Sequence, residues 1–336
     1  MHRIDTLDSF RGLAALLVVL FHLTLHQSDA IWHFSWGCTG VDLFFMISGF
    51  VILMTLYRTK SPKDFVFARF SRLYPVYWVA VTITALAMLV GQYGGYSQIS
   101  WWEYFTNLSM FQQYFEVRDL DGSYWTLLVE MLFYAAMLAL LTTHQLKHTS
   151  KFGLGVVLLQ LLIHGLVSQY WPQVYATICK GFPLINHFQL FWAGILFYRI
   201  YTQGHSWQRY LGLVLAYGVT IFLFDKIGKS NLFVSFEEYI FIVAFYFVLF
   251  YLFVQKRLEW LNNRATLFLG SISYSLYIIH HYLMVGIITI IKDKFGWSFG
   301  VASLLALATA FGIAILMTYW IEKPALMYLR KQYKSQ

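Results

Sequence analysis

Apolar residues in this chain neither alternate at the period of a strand nor stop at the length of a soluble core helix. They gather into about ten continuous runs, near residues 13–25, 37–57, 74–90, 125–141, 154–170, 187–201, 210–224, 239–254, 267–291 and 299–321. A run of roughly 17–25 such residues is long enough to cross hydrocarbon as an α-helix. The pattern predicts an all-α, polytopic membrane helix bundle of about ten transmembrane helices. A single domain over 1–336 is expected, with no appended soluble domain. The sixth and seventh runs are short. The first run holds Arg11 and His22, and no small-residue cleavage site follows it, so it reads as a retained helix rather than a signal peptide.

Composition agrees. The chain is 59% hydrophobic and 12% charged, with mean hydropathy +0.59, where a soluble domain carries about 25% charged residues. Charge placement then gives an orientation. With the N-terminus in the cytoplasm, only Arg118, Lys180, Lys226, Lys229, Lys292 and Lys294 of the 24 basic residues fall outside. Basic residues concentrate on the cytoplasmic side of membrane proteins. An even number of spans returns the C-terminus there, so both termini are expected to be cytoplasmic, in the plasma (inner) membrane. The net charge of +8 then needs no nucleic-acid partner, because a basic face meets anionic membrane lipids.

The longest gap, 91–124, falls outside and carries Trp101, Trp102, Glu103, Glu116, Asp119 and Asp121. An interfacial helix is expected there. Cys38 and Cys179 both lie near the outer face. An oxidising compartment would permit a disulfide, although unpaired apolar cysteines are more common.

Ionisable groups inside spans cost roughly 2.5–3.5 kcal/mol each, so each needs a reason. Arg11 and His22 are eleven residues apart, which returns them to one helix face about 16 Å apart along the axis. Asp42 and Glu130 each lie five residues into an inward-running span. With His22 they are expected at one depth, about 7 Å below the outer surface. There a carboxylate would orient the imidazole as a general base or nucleophile. A structural polar cluster is the alternative. In the ninth run Tyr274, Tyr277 and His280 form one stripe, with Ser273 and His281 beside it. Arg69 and Arg72, spaced i, i+3 just before the third run, suit phosphate capture, with Pro75 in the first helical turn. Glu322 and Pro324 are expected to end the tenth helix. A transporter and a group-transfer enzyme both fit this arrangement.

The strings that hold these residues, taken in order, resemble the acyltransferase-3 family of membrane O-acyltransferases over nearly the whole chain. LDSFRGLAALLVVLFH resembles its Arg-x10-His signature through Arg11 and His22, and GVDLFFMISGFVI its second-helix motif. ARFSRLYPVYW resembles its Arg-x-x-Arg motif through Arg69, Arg72 and Pro75. WTLLVEMLFY resembles its Trp-Ser-Leu-x-x-Glu-x-x-Phe-Tyr motif, with Thr126 keeping the serine's hydroxyl. ISYSLYIIH and IEKP are similar to its later signatures.

The resemblance implies O-acylation, usually O-acetylation, of an extracytoplasmic carbohydrate such as a cell-envelope polysaccharide, lipopolysaccharide or lipid-linked glycan. Acetyl-CoA is the implied donor, used from the cytoplasm, with succinyl or longer acyl chains as alternatives. Some members carry a fused outer hydrolase-like domain. This chain runs to Gln336 without it, so direct acylation or hand-over to a separate extracytoplasmic acyl-accepting partner is expected. On this footing Arg69, Arg72 and Arg11 would hold the donor phosphates. His22, oriented by Glu130 or Asp42, would be the base. Tyr134, Tyr277 and Ser273 are candidate acyl carriers, while His280, His281 and Glu322 are further polar site residues. Trp101, Trp102 and Trp125 suit interfacial anchoring better than sugar stacking. The histidines show no compact ligand pattern with cysteines or carboxylates, so no metal is expected. Two rivals remain, namely a transporter or flippase of a glycan or acyl precursor, and a non-enzymatic subunit that positions a separate transferase.

Overall fold

The computed structural model describes residues 4–25, 27–91, 99–227 and 229–334. They form helices without strands: α1 Asp5–Thr24, α2 Gly40–Leu56, α3 Pro62–Gly91, α4 Trp101–Asn107 and α5 Trp125–Thr142. Next come α6 Thr149–Leu162, α7 Ser168–Tyr170, α8 Pro172–Gly181, α9 Phe188–Gln203 and α10 Trp207–Phe222. The chain continues with α11 Phe224–Ile227, α12 Phe236–Val254, α13 Arg264–Phe295, α14 Phe299–Met317 and α15 Lys323–Lys334. Among the described residues, 9 helical segments are long and apolar enough to cross a membrane. The sixth apolar run, expected as a span of its own, forms α9. Its 16 residues rise about 24 Å, short of the ~30 Å hydrocarbon layer. Every residue from Phe188 to Ile200 in α9 is buried, so this helix is held by protein on all sides.

Around that centre the remaining helices keep apolar residues on both their inner and outer faces, as a lipid-facing ring must. Leu86, Val214, Phe241 and Leu304 are exposed while Val81, Leu213, Val243 and Ala306 on the same helices are buried. Small residues set the closest crossings. A Cβ on Gly49 of α2 would come within 2.0 Å of the Phe191 carbonyl oxygen, and one on Gly194 of α9 within 2.0 Å of the Met46 oxygen. The α1–α13 crossing is built the same way from Gly12 and Gly270. Ala302, Ala306, Ala310 and Ala314 are fully buried in the cluster that joins α14 to α13.

Two helix boundaries depart from the sequence expectation. The third helix does not begin at Pro75 but at Pro62, and Pro75 lies inside it. Pro75 removes one backbone bond, yet neighbouring side chains anchor this stretch. Tyr74 and Tyr77 hydroxyls and the Trp78 indole donate to the Ser109, Asn107 and Leu108 carbonyls. Likewise the tenth span does not stop at Pro324. A π-helical turn, Thr318–Glu322, runs directly into α15, so Pro324 lies within a continuous helical stretch instead of ending it. In the long gap, the described part folds as expected into α4, capped by a reciprocal Ser100–Glu103 box. The gap's residues 92–98 lie outside the described residues. Cys38 and Cys179 are free thiols.

Candidate active site

Two cavities lie in series within the bundle. The first, about 760 Å³, is lined by Arg11 of α1, Arg69 and Arg72 of α3, and Glu130 and Tyr134 of α5. The second, about 1040 Å³, is lined by His22 of α1 and Asp42 of α2, with His187 and Lys229 on its rim. Val41 and Tyr277 line both, so they form the shared wall.

The first cavity is cationic by construction. The helical stretch of α3 before Pro75 puts Arg69 and Arg72 on one face. Arg69 is buried, its guanidinium 5.9 Å from each of the Phe65 and Tyr134 ring centroids. Its Nε is buried and has no hydrogen-bond partner among the described residues. Among the described residues Arg11 pairs with Asp8, at 3.8 Å. Glu130 accepts from the Ser48 hydroxyl at 2.8 Å and from the Tyr134 hydroxyl. Three guanidinium groups against one lining carboxylate leave room for an anion with several charges. Glu322 does not line this cavity. It accepts from Ser275 at 3.2 Å, and Thr318 in turn donates to Ser275 at 2.8 Å.

The shared wall has a defined direction of hydrogen bonding. Thr126 gives its only hydroxyl hydrogen to the Ser123 carbonyl at 2.8 Å. At the 2.9 Å contact between Thr126 and Tyr277, the tyrosine must therefore donate. Ser273 lines the first cavity, but its hydroxyl donates to the Gly270 carbonyl of its own helix at 2.9 Å.

In the second cavity His22 is not oriented by a carboxylate, contrary to expectation. Its Nδ1 lies 3.0 Å from the Val18 carbonyl and 3.0 Å from His280 Nε2. The His280 Nδ1 lies 2.8 Å from the Tyr277 carbonyl. A carbonyl only accepts, so His280 carries its proton on Nδ1 and presents a lone pair at Nε2. His22 must then donate from Nδ1, which leaves its Nε2 lone pair free as a base. His281 packs against His22 at 4.1 Å between centroids with the rings tilted by 34°, and its own Nδ1 is buried against Gly122 without a hydrogen-bond partner among the described residues. No group of three histidine, cysteine or acidic side chains among the described residues is placed to hold a metal ion.

The expected single depth for His22, Asp42 and Glu130 also divides. Asp42 lines the second cavity with His22, where it accepts from Tyr239 at 3.0 Å, and Glu130 lines the first with the arginines. Trp101 and Trp102 are exposed and line neither cavity, whereas Trp125 lines the second. Asn186, His187 and Lys229 were not singled out from sequence. Their only signal was a polar residue at the head of a short run and one basic residue on the sparsely charged side.

Comparison with known proteins settles the family. The sequence model of a family described as an acyltransferase domain matches residues 4–321. The chain belongs to this acyltransferase family. It is 25% identical over 277 residues to a candidate acetyltransferase of Acidianus two-tailed virus, covering 80% of each chain. It is 28% identical over 217 residues to the peptidoglycan O-acetyltransferase OatA of Listeria monocytogenes, covering 54% of this chain and 33% of that protein. It is 30% identical over 164 residues to nodulation protein 10 of Rhizobium leguminosarum, covering 42% of this chain and 44% of that protein. No solved structure matches the chain significantly.

Proposed function

We propose that this protein is an integral membrane O-acetyltransferase that moves an acetyl group from cytoplasmic acetyl-CoA to a hydroxyl of an extracytoplasmic or lipid-linked carbohydrate. The observation that carries this is the pair of cavities: three arginines in one, a free imidazole base in the other, and a wall in common. The uneven distribution of Lys and Arg favours placing the arginine cavity and both termini on the cytoplasmic side of the plasma membrane. The names of the Listeria and virus relatives support acetyl as the group transferred. The Listeria name supports a carbohydrate acceptor.

Arg69 and Arg72, with Arg11, bind the donor phosphates as charge-assisted forks. The thioester carbonyl comes to the wall at Tyr277. An acceptor hydroxyl in the second cavity attacks that carbonyl while His22 Nε2 takes its proton. The carbon–sulfur bond breaks, and the imidazolium returns the proton to the departing sulfur. CoA thiol and the acetyl ester are the products. Charge developing on His22 is shared with Val18 and His280 through Nδ1. Asp42 and His281 shape the second cavity, and Glu322 fixes α13 through Ser275. Direct transfer is favoured over Tyr277 or Ser273 as a carrier, because neither hydroxyl faces a base. Tyr134, bonded to Glu130, is the one candidate carrier with a base in place. An acceptor on a separate extracytoplasmic partner would use the same second cavity.

The test uses purified protein in liposomes and acetyl-CoA labelled in the acetyl group. Turnover in the wild type, lost in both His22→Ala and Arg69→Ala variants that remain folded, is expected. No CoA release, even with glycan-containing membrane extract, would overturn the donor assignment and favour a transporter or flippase.

A further inference from the structure

The second cavity has a rim whose polar groups are unspent. Lys229 is its only lysine or arginine. The ammonium lies 4.2 Å over the Trp125 ring centroid and makes no ion pair among those found in the described residues. The carboxylate acting on it, Asp119, is already taken up by the side-chain amides of Gln112 and Gln113. Asn186 presents a buried Oδ1 with no hydrogen-bond partner among the described residues. Buried carbonyl oxygens are almost always satisfied, so this one is placed for a donor that arrives with a ligand. His187 sits between the rings of Phe45 and Trp125, at 5.2 and 5.4 Å. It is also the N-cap of α9, and no side chain caps that helix, so the helix's positive end adds to the lysine charge. The one carboxylate lining the cavity, Asp42, is engaged by Tyr239.

Taken together these groups offer a cation, a hydroxyl acceptor and an aromatic platform beside the base. We infer that Trp125, Asn186, His187 and Lys229 form an acceptor subsite selective for a carbohydrate that bears an anionic group, a carboxylate or a phosphate. The anion pairs with Lys229, a neighbouring sugar hydroxyl donates to Asn186, and the hydroxyl to be acetylated faces His22. This rests on the acyltransferase reading for its chemistry, though the charge of the rim can be measured without it.

Two measurements on the full-length protein in nanodiscs test the subsite. In an Asn186→Cys variant with Cys38→Ser and Cys179→Ser, the thiol is modified by anionic and by cationic methanethiosulfonates. The anionic reagent should be favoured by about tenfold relative to a free thiol, the size of one charge-assisted contact, and Lys229→Gln should remove the preference. With labelled acetyl-CoA and the otherwise native chain, uronic-acid, phosphorylated and neutral oligosaccharides of matched length are compared as acceptors. One charged class should exceed the neutral one by about tenfold in kcat/KM, and the better class identifies the anion. Lys229→Gln should erase that ratio by lowering kcat/KM for the charged acceptor to that of the neutral one. Equal use of charged and neutral acceptors, or a preference that survives Lys229→Gln, overturns the subsite. If no oligosaccharide is acetylated, the thiol ratio decides, and its absence is equally fatal. Absent CoA release in the wild type would instead defeat the acyltransferase reading alone.

Discussion

His280 should matter to turnover but not to donor binding. It is fully buried, and its Nε2 accepts from His22 Nδ1 at 3.0 Å. Replacement by leucine removes that acceptor. The His22 tautomer is not lost outright, because Val18 still lies 3.0 Å from Nδ1. The loss is therefore far smaller than the ~10⁴-fold seen when a triad histidine is left in the wrong tautomer. What disappears is one hydrogen bond to an imidazole that becomes charged as the hydroxyl is deprotonated, worth about 1.5–3 kcal/mol. At 1.36 kcal/mol per factor of ten, kcat should fall by about 10- to 150-fold. The KM for acetyl-CoA should hold, since the arginines line the other cavity. His280→Gln can return an acceptor oxygen near the lost Nε2 and should recover most of kcat. Steady-state kinetics with labelled acetyl-CoA, alongside melting curves, would decide. Equal loss in the leucine and glutamine variants at matched stability, or a raised KM in both, would refute a positioning role.

Four further outcomes follow from the same geometry. Arg69→Gln should raise the KM for acetyl-CoA by at least about tenfold, because a buried charge-assisted contact is removed; an unchanged KM would take the donor out of this cavity. Tyr134→Phe should cost no more than about tenfold, one hydrogen bond's worth, with no labelled acetyl group trapped on the wild-type chain after acid quench. Abolished turnover together with a trapped label would show that Tyr134 carries the group. Gly194→Leu should prevent folding, since even a Cβ would meet the Met46 oxygen at 2.0 Å, whereas Gly218→Ala, with open space around it, should shift stability by no more than ~1 kcal/mol; equal melting temperatures for the two would contradict the α2–α9 packing. Lys292 donates to Asp29 at 2.6 Å, and this bond holds the Asp29 carboxyl below its usual range. A depressed carboxylate stabilises above its unfolded pKa of about 3.9 and loses that contribution only as pH falls through the folded value. Hydrogen exchange over 27–34 should thus stay slow at mildly acidic pH and quicken only below about pH 4; loosening already near pH 6 would be inconsistent.

Much of the fold could be read because a bilayer enforces length and apolarity, and every long apolar run became a helix. Charged groups in or beside those runs were equally legible, since hydrocarbon penalises each one: Arg11, Arg69, Arg72, Glu130 and His22 all line cavities. Depth was less legible. Asp42 lines one cavity and Glu130 the other, and no hydropathy pattern marks which cavity a residue in a span will meet. Partner identity was hidden for a different reason. His22 is four residues from Val18 on its own helix but 258 positions from His280, so the second contact exists only through the α1–α13 crossing that Gly12 and Gly270 permit. Lys229 gave only a weak signal because it lies in a loop, where a lone lysine is normally solvated surface.

The division into two cavities bears on why the chemistry is embedded in a membrane at all. A donor with several phosphates and an acceptor on the opposite side cannot share one aqueous site without opening a leak. Here Val41 and Tyr277 stand between the two cavities, with the three arginines on one side and His22 on the other. Only the small, uncharged acyl end of the donor has to reach that wall. The Tyr277 hydroxyl is tied down by Thr126, which is itself tied to Ser123. That chain links α13 to the turn leading into α5, so the residue at the junction is fixed by the two helices that also carry His280 and Glu130. Transfer at a fixed constriction, rather than movement of a whole substrate through the bundle, is what this geometry suits. It also places specificity for the two substrates in separate cavities, so either can change without rebuilding the other.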